Sequence, residues 1–191
     1  MRKLTRADIR GPKLYAAIRD DLRKRVIAVK RVRRVSVGPQ VTLVFENRTT
    51  MIFQVEEMCR AEKISEPDKI QEELDVYNRI LPDEGQLAAT LLVEITDEAQ
   101  IQPTLERLVG LQDHVWLVVG GERIRAEFDP EQFAADKLAA VQYLKFTLSA
   151  EAQKALATPG TAVALAIDHP NYRHEARLGE ASRASLAQDL A

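Results

Sequence analysis

Two short hydrophobic runs between Val41 and Lys63 constrain the fold of this chain more than any other feature. The first run alternates with polar residues through Val41, Leu43 and Phe45, and the second through Met51, Phe53 and Val55. A two-residue period is typical of strands that bury one face. The pair Asn47-Arg48 suits a tight turn, because Asn tolerates positive φ. We therefore predict a β-hairpin over residues 41–55 and a helix over residues 54–64, where the hydrophobic period lengthens.

The rest of the chain supplies the other elements of a mixed fold. Gly120-Gly121 predicts a second hairpin over residues 114–128, and a continuous apolar run predicts a central strand over residues 87–95. The remaining predictions are strands over 141–148 and 161–168, helices over 68–80 and after Ser149, a kink or late helix start at Pro103, and a loop or single turn over 129–136. This pattern predicts an α+β fold, with an antiparallel sheet built from hairpins and helices packed on one face.

Charge is distributed unevenly along the chain. Residues 1–35 hold thirteen Lys and Arg against three Asp, whereas the remainder holds fourteen against twenty-six Asp and Glu. The length of 191 residues fits one domain. We therefore predict a single domain over residues 1–191, with a basic helical segment over 1–35 and an α+β body over 36–191.

The basic segment is predicted to form a long helix that begins at Pro12. One face is apolar, and the opposite face carries Arg19, Arg23, Lys24, Lys30, Arg31 and Arg34. Arg25 and Arg33 fall within or beside the apolar face. Three interpretations remain open: a solvated basic face whose two misplaced arginines meet the acidic body, a surface that binds nucleic acid or another anion, and a helix that pairs with a second subunit.

Several classes of protein are excluded by what the sequence lacks. The single cysteine, Cys59, forms no internal disulfide and holds no iron–sulfur cluster or cysteine-rich zinc site alone. We predict that it is a buried apolar residue and not a reactive thiol. Phosphate-loop and dinucleotide-binding fingerprints are absent. No apolar run is long enough to span a bilayer, and the N-terminus lacks a signal-peptide core, so we expect a cytoplasmic protein.

Histidines and carboxylates in the segment Asp168-His169-Pro170-Asn171-Tyr172-Arg173-His174-Glu175 form one candidate site. Two imidazoles and one carboxylate are the ligand set of many mononuclear metal sites. His169, His174 and Glu175 are therefore candidate ligands for a single Fe, Zn or Mn ion, with His114 and Asp168 as further candidates. The alternative is a turn in which His169 and Tyr172 are structural.

A second candidate site is acidic. Carboxylates on two neighbouring predicted helices, with one tyrosine nearby, resemble in kind the iron-binding sets of helical bundles; they are Glu56, Glu57, Glu62, Glu72, Glu73 and Tyr77. The alternative is a solvated acidic face, or a set of partners for Arg25 and Arg33.

Longer segments of the chain carry a resemblance to a known family. RVIAVKRVRRVSVGPQVTLVFEN, QVEEMCRAEKI, IQEELDVYN, ATLLVEI and DHPNYRHE resemble an uncharacterised bacterial family catalogued as domain of unknown function 3501, over nearly the whole chain. The family has no established activity. The resemblance implies a genomic neighbourhood that contains rubrerythrin and an iron–sulfur reductase-like protein, and hence a role in peroxide or iron-linked redox chemistry.

These observations lead to three functional hypotheses. The first is a cytoplasmic, non-catalytic accessory or binding protein of a redox-stress system, with rubrerythrin-like or iron–sulfur partners or a second copy of itself. The second is a metal-dependent enzyme that uses the site in residues 168–175. The third is nucleic-acid or anion binding by the basic N-terminal helix.

Overall fold

In residues 1–129 and 138–190, which the computed structural model describes, nine strands form two antiparallel sheets. The strands are β1 Arg34–Val37, β2 Val41–Glu46, β3 Gln86–Val93, β4 Val115–Val119, β5 Glu122–Arg125, β6 Glu127–Phe128, β7 Val141–Thr147, β8 Val163–His169 and β9 Tyr172–Arg177. The first sheet has the order β1-β2-β3-β7-β6, and the second has the order β5-β4-β8-β9.

Six α-helices accompany the sheets in the described part of the chain. They are α1 Pro12–Arg33, α2 Arg48–Ala61, α3 Pro67–Ile80, α4 Ile101–Arg107, α5 Ala150–Ala157 and α6 Glu180–Ala187. None of these helices has the length and apolar character that a bilayer crossing requires.

The main hydrophobic core lies between the two sheets. In the first sheet Leu43 pairs with Val35 and Leu91, so that these side chains share one face. In the second sheet Leu117 pairs with Ile124 and Leu165, and all of these residues belong to one buried cluster. Helices α5 and α6 add Leu156 and Leu186 to the cluster. The predicted α+β class is confirmed, but the strands form two facing sheets instead of one.

A second, smaller core joins the N-terminal segment to α2 and α3. Its buried members are Leu4, Ile9, Met51, Val55, Cys59, Ile70, Leu74, Tyr77, Ile80 and Leu81. Cys59 is fully enclosed, as predicted, and burial raises the pKa of its thiol, with Glu73 and Glu56 adding to the effect. Because the partly buried ring of Tyr143 in β7 packs against this cluster, the helices cover part of the outer face of the first sheet.

The predicted strand over residues 51–55 is wrong, because this segment belongs to α2. The side chain of Asn47 accepts a hydrogen bond from the Thr50 N–H at 3.1 Å, and the Thr50 hydroxyl accepts one from the Asn47 N–H at 2.9 Å. This reciprocal cap starts a helix instead of a hairpin turn. Met51, Val55 and Cys59 also recur every four residues, and in the helix this second period buries all three side chains.

The first hairpin instead joins β1 to β2, and β1 was not predicted as a strand. Its turn contains Gly38, which has a φ of 77°. A Cβ at this position would lie 2.5 Å from the His174 ring, so both the backbone conformation and the close approach require glycine. The Tyr172 hydroxyl donates to the Val37 carbonyl at 2.7 Å and accepts from the Gln40 and Val41 N–H groups. Through these bonds the second sheet holds the first hairpin of the first sheet.

Most of the other predicted elements agree with the structure where it describes them, but residues 127–128 of the predicted hairpin over 114–128 form β6, which pairs with β7 in the first sheet. Gly120 and Gly121 adopt positive φ in the turn between β4 and β5, and the predicted central strand is β3, in the middle of the first sheet. Ser149 caps α5, and the helix around Pro103 begins only at Ile101. The predicted loop over 129–136 lies, apart from its first residue, outside the described residues.

The buried guanidinium of Arg33, at the end of α1, connects three elements. It donates to the Phe45 carbonyl at 2.8 Å and to the Glu46 carbonyl at 3.3 Å, both at the end of β2. On its other side it bonds the Ser185 carbonyl of α6 at 3.2 Å and forms an ion pair with Asp189. Only 1% of the Arg33 side chain is exposed. Arg25, by contrast, is exposed, so of the two misplaced arginines only Arg33 enters the interior.

We expect Asp189→Ala to lower the free energy of unfolding by about 3 kcal/mol, because it leaves the buried Arg33 charge without its carboxylate. Urea unfolding measures the change. The matched control is Asp21→Ala, which removes an exposed ion pair with Lys24 and should cost less than about 1 kcal/mol. Equal stability of the two variants would show that the remaining partners of Arg33 are sufficient.

Candidate functional site

The residues proposed as metal ligands lie on the β8–β9 hairpin and not in a loop. His174 pairs with Ile167, whereas Glu175 pairs with Ala166. Because successive residues of a strand point to opposite faces, the Glu175 side chain leaves the sheet on the side away from His174. The hairpin therefore does not bring His169, His174 and Glu175 together around one ion.

His169 is buried and both of its ring nitrogens are in use. Nε2 lies 3.0 Å from the Val109 carbonyl and therefore donates, and Nδ1 accepts from the Asn171 N–H at 3.2 Å. These bonds fix the neutral ring as part of the turn. The structural interpretation of His169 thus has direct geometric support.

Asp168 and His114 belong to a polar network on the outer face of the second sheet. The Asp168 carboxylate accepts hydrogen bonds from Arg123 at 2.8 Å and from the Trp116 indole at 3.1 Å, and His114 Nδ1 lies 3.2 Å from it. Arg123, first among these partners, holds the pKa of Asp168 below its usual range. The Arg123 guanidinium also stacks over Trp116. Asp168 therefore fixes the position of the Arg123 guanidinium.

In residues 1–129 and 138–190, no three His, Cys, Asp or Glu side chains are grouped as a metal ion would require. The sequence pattern placed the candidate ligands near one another along the chain. The register of the hairpin then separated them by face, and register is a tertiary property that spacing alone does not reveal.

The acidic residues of α2 and α3 are divided among separate partners. Glu56 is buried and accepts the Arg10 N–H at 2.7 Å, and desolvation raises its pKa. Glu57 bonds Arg19 at 2.8 and 2.9 Å and also accepts the Tyr15 hydroxyl. The hydrogen bond from Arg19, together with the weaker effect of the one from Tyr15, lowers the pKa of Glu57 to about 2.

The rest of this acidic group lies on α3 and just after α2. Glu72 and Glu73 are on α3, and Glu62 follows Ala61, the last residue of α2. Desolvation and the charges of Glu62 and Glu72 raise the pKa of Glu73, while Tyr77 is buried in the smaller core. The acidic pair on α2 thus binds arginines of the N-terminal segment, and not Arg25 or Arg33 as the sequence suggested.

The predicted basic surface separates into paired and unpaired residues. Arg19 pairs with Glu57, Lys24 with Asp21, and Arg34, which lies on β1, with Glu94. Arg23, Lys30 and Arg31 have no ion-pair partner within the described ranges. Of these three, Lys30 and Arg31 line a cleft together with Arg34.

This cleft, which we call the outer-face cleft, lies between α1, α2, α3 and the outer face of the first sheet. Its volume is about 490 Å³, within the range of roughly 300 to 1,000 Å³ that small-molecule sites occupy. Most of its lining is apolar, contributed by Ile27, Val44, Met51, Leu92 and Val141 together with the rings of Tyr77 and Tyr143. The polar lining consists of Lys30, Arg31, Arg34, Glu46, Gln54 and Thr90.

Glu46 is the polar residue that distinguishes the outer-face cleft from a packing defect. Its side chain is 3% exposed, and Oε1 accepts a hydrogen bond from the Thr90 hydroxyl at 2.9 Å. Oε2 is buried and has no hydrogen-bond partner in the described residues. Buried carboxylate oxygens are normally satisfied, because an unpaired one is costly. The unpaired oxygen makes Glu46 the candidate ligand contact among the polar residues of the cleft.

Tyr143 is a neighbour of Glu46 in the lining of the cleft. Burial, and after it the negative charge of Glu46, raises the pKa of the Tyr143 phenol.

The sequence pattern alone does not reveal this cleft. Glu46 is one of the polar residues that alternate with Val41, Leu43 and Phe45, so the pattern places it on the solvated face of a half-buried strand. A weak signal was present in the sequence. The face that carries Thr42 and Glu46 also carries the apolar Val44, whereas the solvated face of a strand is usually polar throughout. All six residues of β2 are buried, and only the packing of α1 to α3 over that face makes Glu46 an interior group.

The fold and the outer-face cleft define an α+β protein of two facing antiparallel sheets, with a ligand-sized cavity beneath its N-terminal helices. The chain belongs to the family described as Protein of unknown function (DUF3501), whose sequence pattern matches residues 3–190. The resemblance drawn from the sequence is therefore confirmed.

One solved structure is similar over the full length of both chains. It is the crystal structure of a novel protein of unknown function from Burkholderia pseudomallei, which is 39% identical, covers 100% of each chain and superposes with a TM-score of 0.94. No curated protein matches the chain.

We expect Glu46→Gln to raise the free energy of unfolding of the ligand-free protein by about 1 kcal/mol. The reason is that a neutral amide costs less than a carboxylate when one of its polar atoms is buried without a partner. Urea unfolding at neutral pH measures the difference.

The control for this measurement is Glu94→Gln near the same sheet face. Its carboxylate accepts the Thr42 hydroxyl at 2.6 Å and pairs with Arg34, so we expect neutralisation to reduce stability. A loss of stability in Glu46→Gln as large as that in Glu94→Gln would contradict the assignment of Oε2 as an unsatisfied oxygen.

Proposed function

We propose that this chain is a binding protein that holds a small, largely apolar ligand in the outer-face cleft. The observation that carries the proposal is the buried Oε2 of Glu46, which has no hydrogen-bond partner among the described residues and belongs to the lining of a ligand-sized apolar cavity. Proteins tolerate such an unsatisfied group where function requires it, at a cost in stability.

The shape of the cleft supports a small ligand more than a macromolecule. Its apolar lining is formed by side chains from three helices and a sheet, and a concave apolar surface with a few converging polar groups is typical of small-molecule sites. Lys30 and Arg31 contribute to the lining of this cleft, whereas a surface for single-stranded nucleic acid typically combines basic residues along a groove with aromatic rings on which the bases stack. The basic helix is thus better explained as one wall of the cleft.

Binding of a neutral apolar dye tests this proposal. We expect N-phenylnaphthylamine to bind with a saturable rise in fluorescence at about one equivalent, because the dye leaves water for an apolar cavity. Val141→Trp should weaken binding by at least about tenfold, since residue 141 lies in the cleft lining and is 48% exposed, so that it accepts a larger ring without disturbing the core.

Val109→Trp is the matched control. Val109 is also an exposed apolar residue, at 41%, and lies outside the cleft lining. Thermal unfolding of both variants verifies that the fold is retained. Equal dye binding by wild type and Val141→Trp would overturn the proposal.

The accessory role beside a rubrerythrin-like or iron–sulfur partner is a second proposal, which rests on the family resemblance. One structural observation favours a docking surface: Leu14 and Ile18 lie one turn apart on α1 and are 66% and 38% exposed. Covering such an exposed apolar pair with a partner lowers the free energy of the complex, because it removes apolar surface from water.

We expect the chain to co-purify with such iron proteins, and Leu14→Glu/Ile18→Glu to abolish the association, because both charges would be buried at the interface. Pull-down under reducing and oxidising conditions measures this. Arg23→Glu/Lys24→Glu is a control that alters α1 at other exposed positions, and failure of the wild-type chain to associate under either condition would remove the proposal.

A further inference from the structure

The two kinds of polar group in the outer-face cleft are complementary to different groups of a ligand. Glu46 Oε2 is a buried acceptor for which the described residues supply no donor. Lys30 and Arg31, on the last turn of α1, are cations without a carboxylate partner in the described part of the chain. A purely apolar ligand would supply neither a hydrogen-bond donor for Glu46 nor an anionic group for Lys30 and Arg31.

We propose that the ligand of this cleft is an amphipathic anion whose apolar body carries a hydrogen-bond donor such as a hydroxyl group. The donor binds Glu46 Oε2, the apolar body fills the cavity, and the anionic group lies against Lys30 and Arg31. This inference rests on the proposed binding function and specifies the chemistry of the ligand.

The floor of the cleft selects for a donor. An ionised carboxylate accepts hydrogen bonds and donates none, and Thr90 already satisfies Oε1. A ligand with only acceptors at this position would place a second electron-rich atom against Oε2, which is unfavourable. A hydroxyl group has the donor that Oε2 lacks, and the bond it forms is charge-assisted.

The wall of the cleft selects for negative charge. Lys30, Arg31 and Arg34 line it, against the single carboxylate of Glu46. Arg34 is paired with Glu94 outside the lining, whereas Lys30 and Arg31 have no carboxylate partner among residues 1–129 and 138–190. Arg31 is exposed and Lys30 is half-buried, so the anionic group binds near the mouth, where it keeps part of its hydration.

The body of the ligand must be apolar. Val44 and Met51 are buried side chains of the lining, and Ile27 and Val141 present half-exposed apolar surface at the opening. A nucleotide or sugar phosphate would place polar groups against these residues without hydrogen bonds to satisfy them. An aromatic or aliphatic skeleton instead removes apolar surface from water on both sides.

Three matched probes test the inference: naphthol, with a hydroxyl only; naphthoate, with a carboxylate only; and hydroxynaphthoate, with both groups on opposite rings. We expect hydroxynaphthoate to bind at least about tenfold more tightly than either single-group probe. Its affinity should fall as salt is raised, because part of the binding is between charges. Calorimetric titration measures the three dissociation constants.

Two variants then assign each group to its partner. Glu46→Gln should reduce the advantage of hydroxynaphthoate over naphthoate, since the hydroxyl then bonds a neutral amide and the charge-assisted bond to the carboxylate is lost. Lys30→Gln/Arg31→Gln should remove the advantage of hydroxynaphthoate over naphthol, and its salt dependence. The matched control, Arg23→Gln/Lys24→Gln, removes two cations from α1 that do not line the cleft and should leave all three constants unchanged.

The outcomes separate this inference from the proposed function. If the neutral dye binds in the cleft but hydroxynaphthoate binds no better than naphthol or naphthoate, the basic residues only balance the field of Glu46, and the inference is overturned while the binding function stands. If neither the dye nor any naphthalene probe binds, both are overturned. If affinities change equally in the Arg23/Lys24 control, the cations act at long range and no anion-binding wall exists.

Discussion

The structure depends on one buried cation, the guanidinium of Arg33. It binds the Phe45 and Glu46 carbonyls where β2 leaves the first sheet, and on its other side it binds α6 through Ser185 and Asp189. Removing a guanidinium from water is costly, and only a nearly complete set of acceptors offsets that cost. The end of α1, the end of β2 and the C-terminal helix are therefore held in one fixed arrangement.

This arrangement determines the candidate site. Residue 46 is the last residue of β2, and Asn47 immediately after it caps α2. By fixing the Glu46 carbonyl, Arg33 fixes the point from which the Glu46 side chain enters the outer-face cleft. The inner face of the same sheet packs against the second sheet in the main hydrophobic core. The outer face is covered by helices that leave a cavity at Glu46, so the two faces of one strand have different surroundings.

The histidine-containing hairpin contributes to the fold instead. Tyr172 binds the turn between β1 and β2, and His169 bonds the distant Val109 carbonyl as well as the Asn171 N–H of its own turn. Gly38 is required because Tyr172 and His174 pack directly against it. A group of polar and aromatic residues that resembled a metal site in sequence thus joins the two sheets.

The sequence by itself determined the elements whose signals are local. The Gly-Gly turn, the Ser149 cap and the periodicity of residues 68–80 act within a few residues, so each specifies its element regardless of what packs against it. Residues 51–55 were assigned wrongly because Met51 and Val55 fit both a two-residue and a four-residue period, and the Asn47–Thr50 cap favoured the helix. Only the tertiary structure decided that there are two sheets, that the outer face of β2 is covered, and that Glu46 meets Lys30 and Arg31 across one cavity. The physical reason is that periodicity shows which face of an element is apolar, whereas burial of a polar face depends on elements distant in sequence.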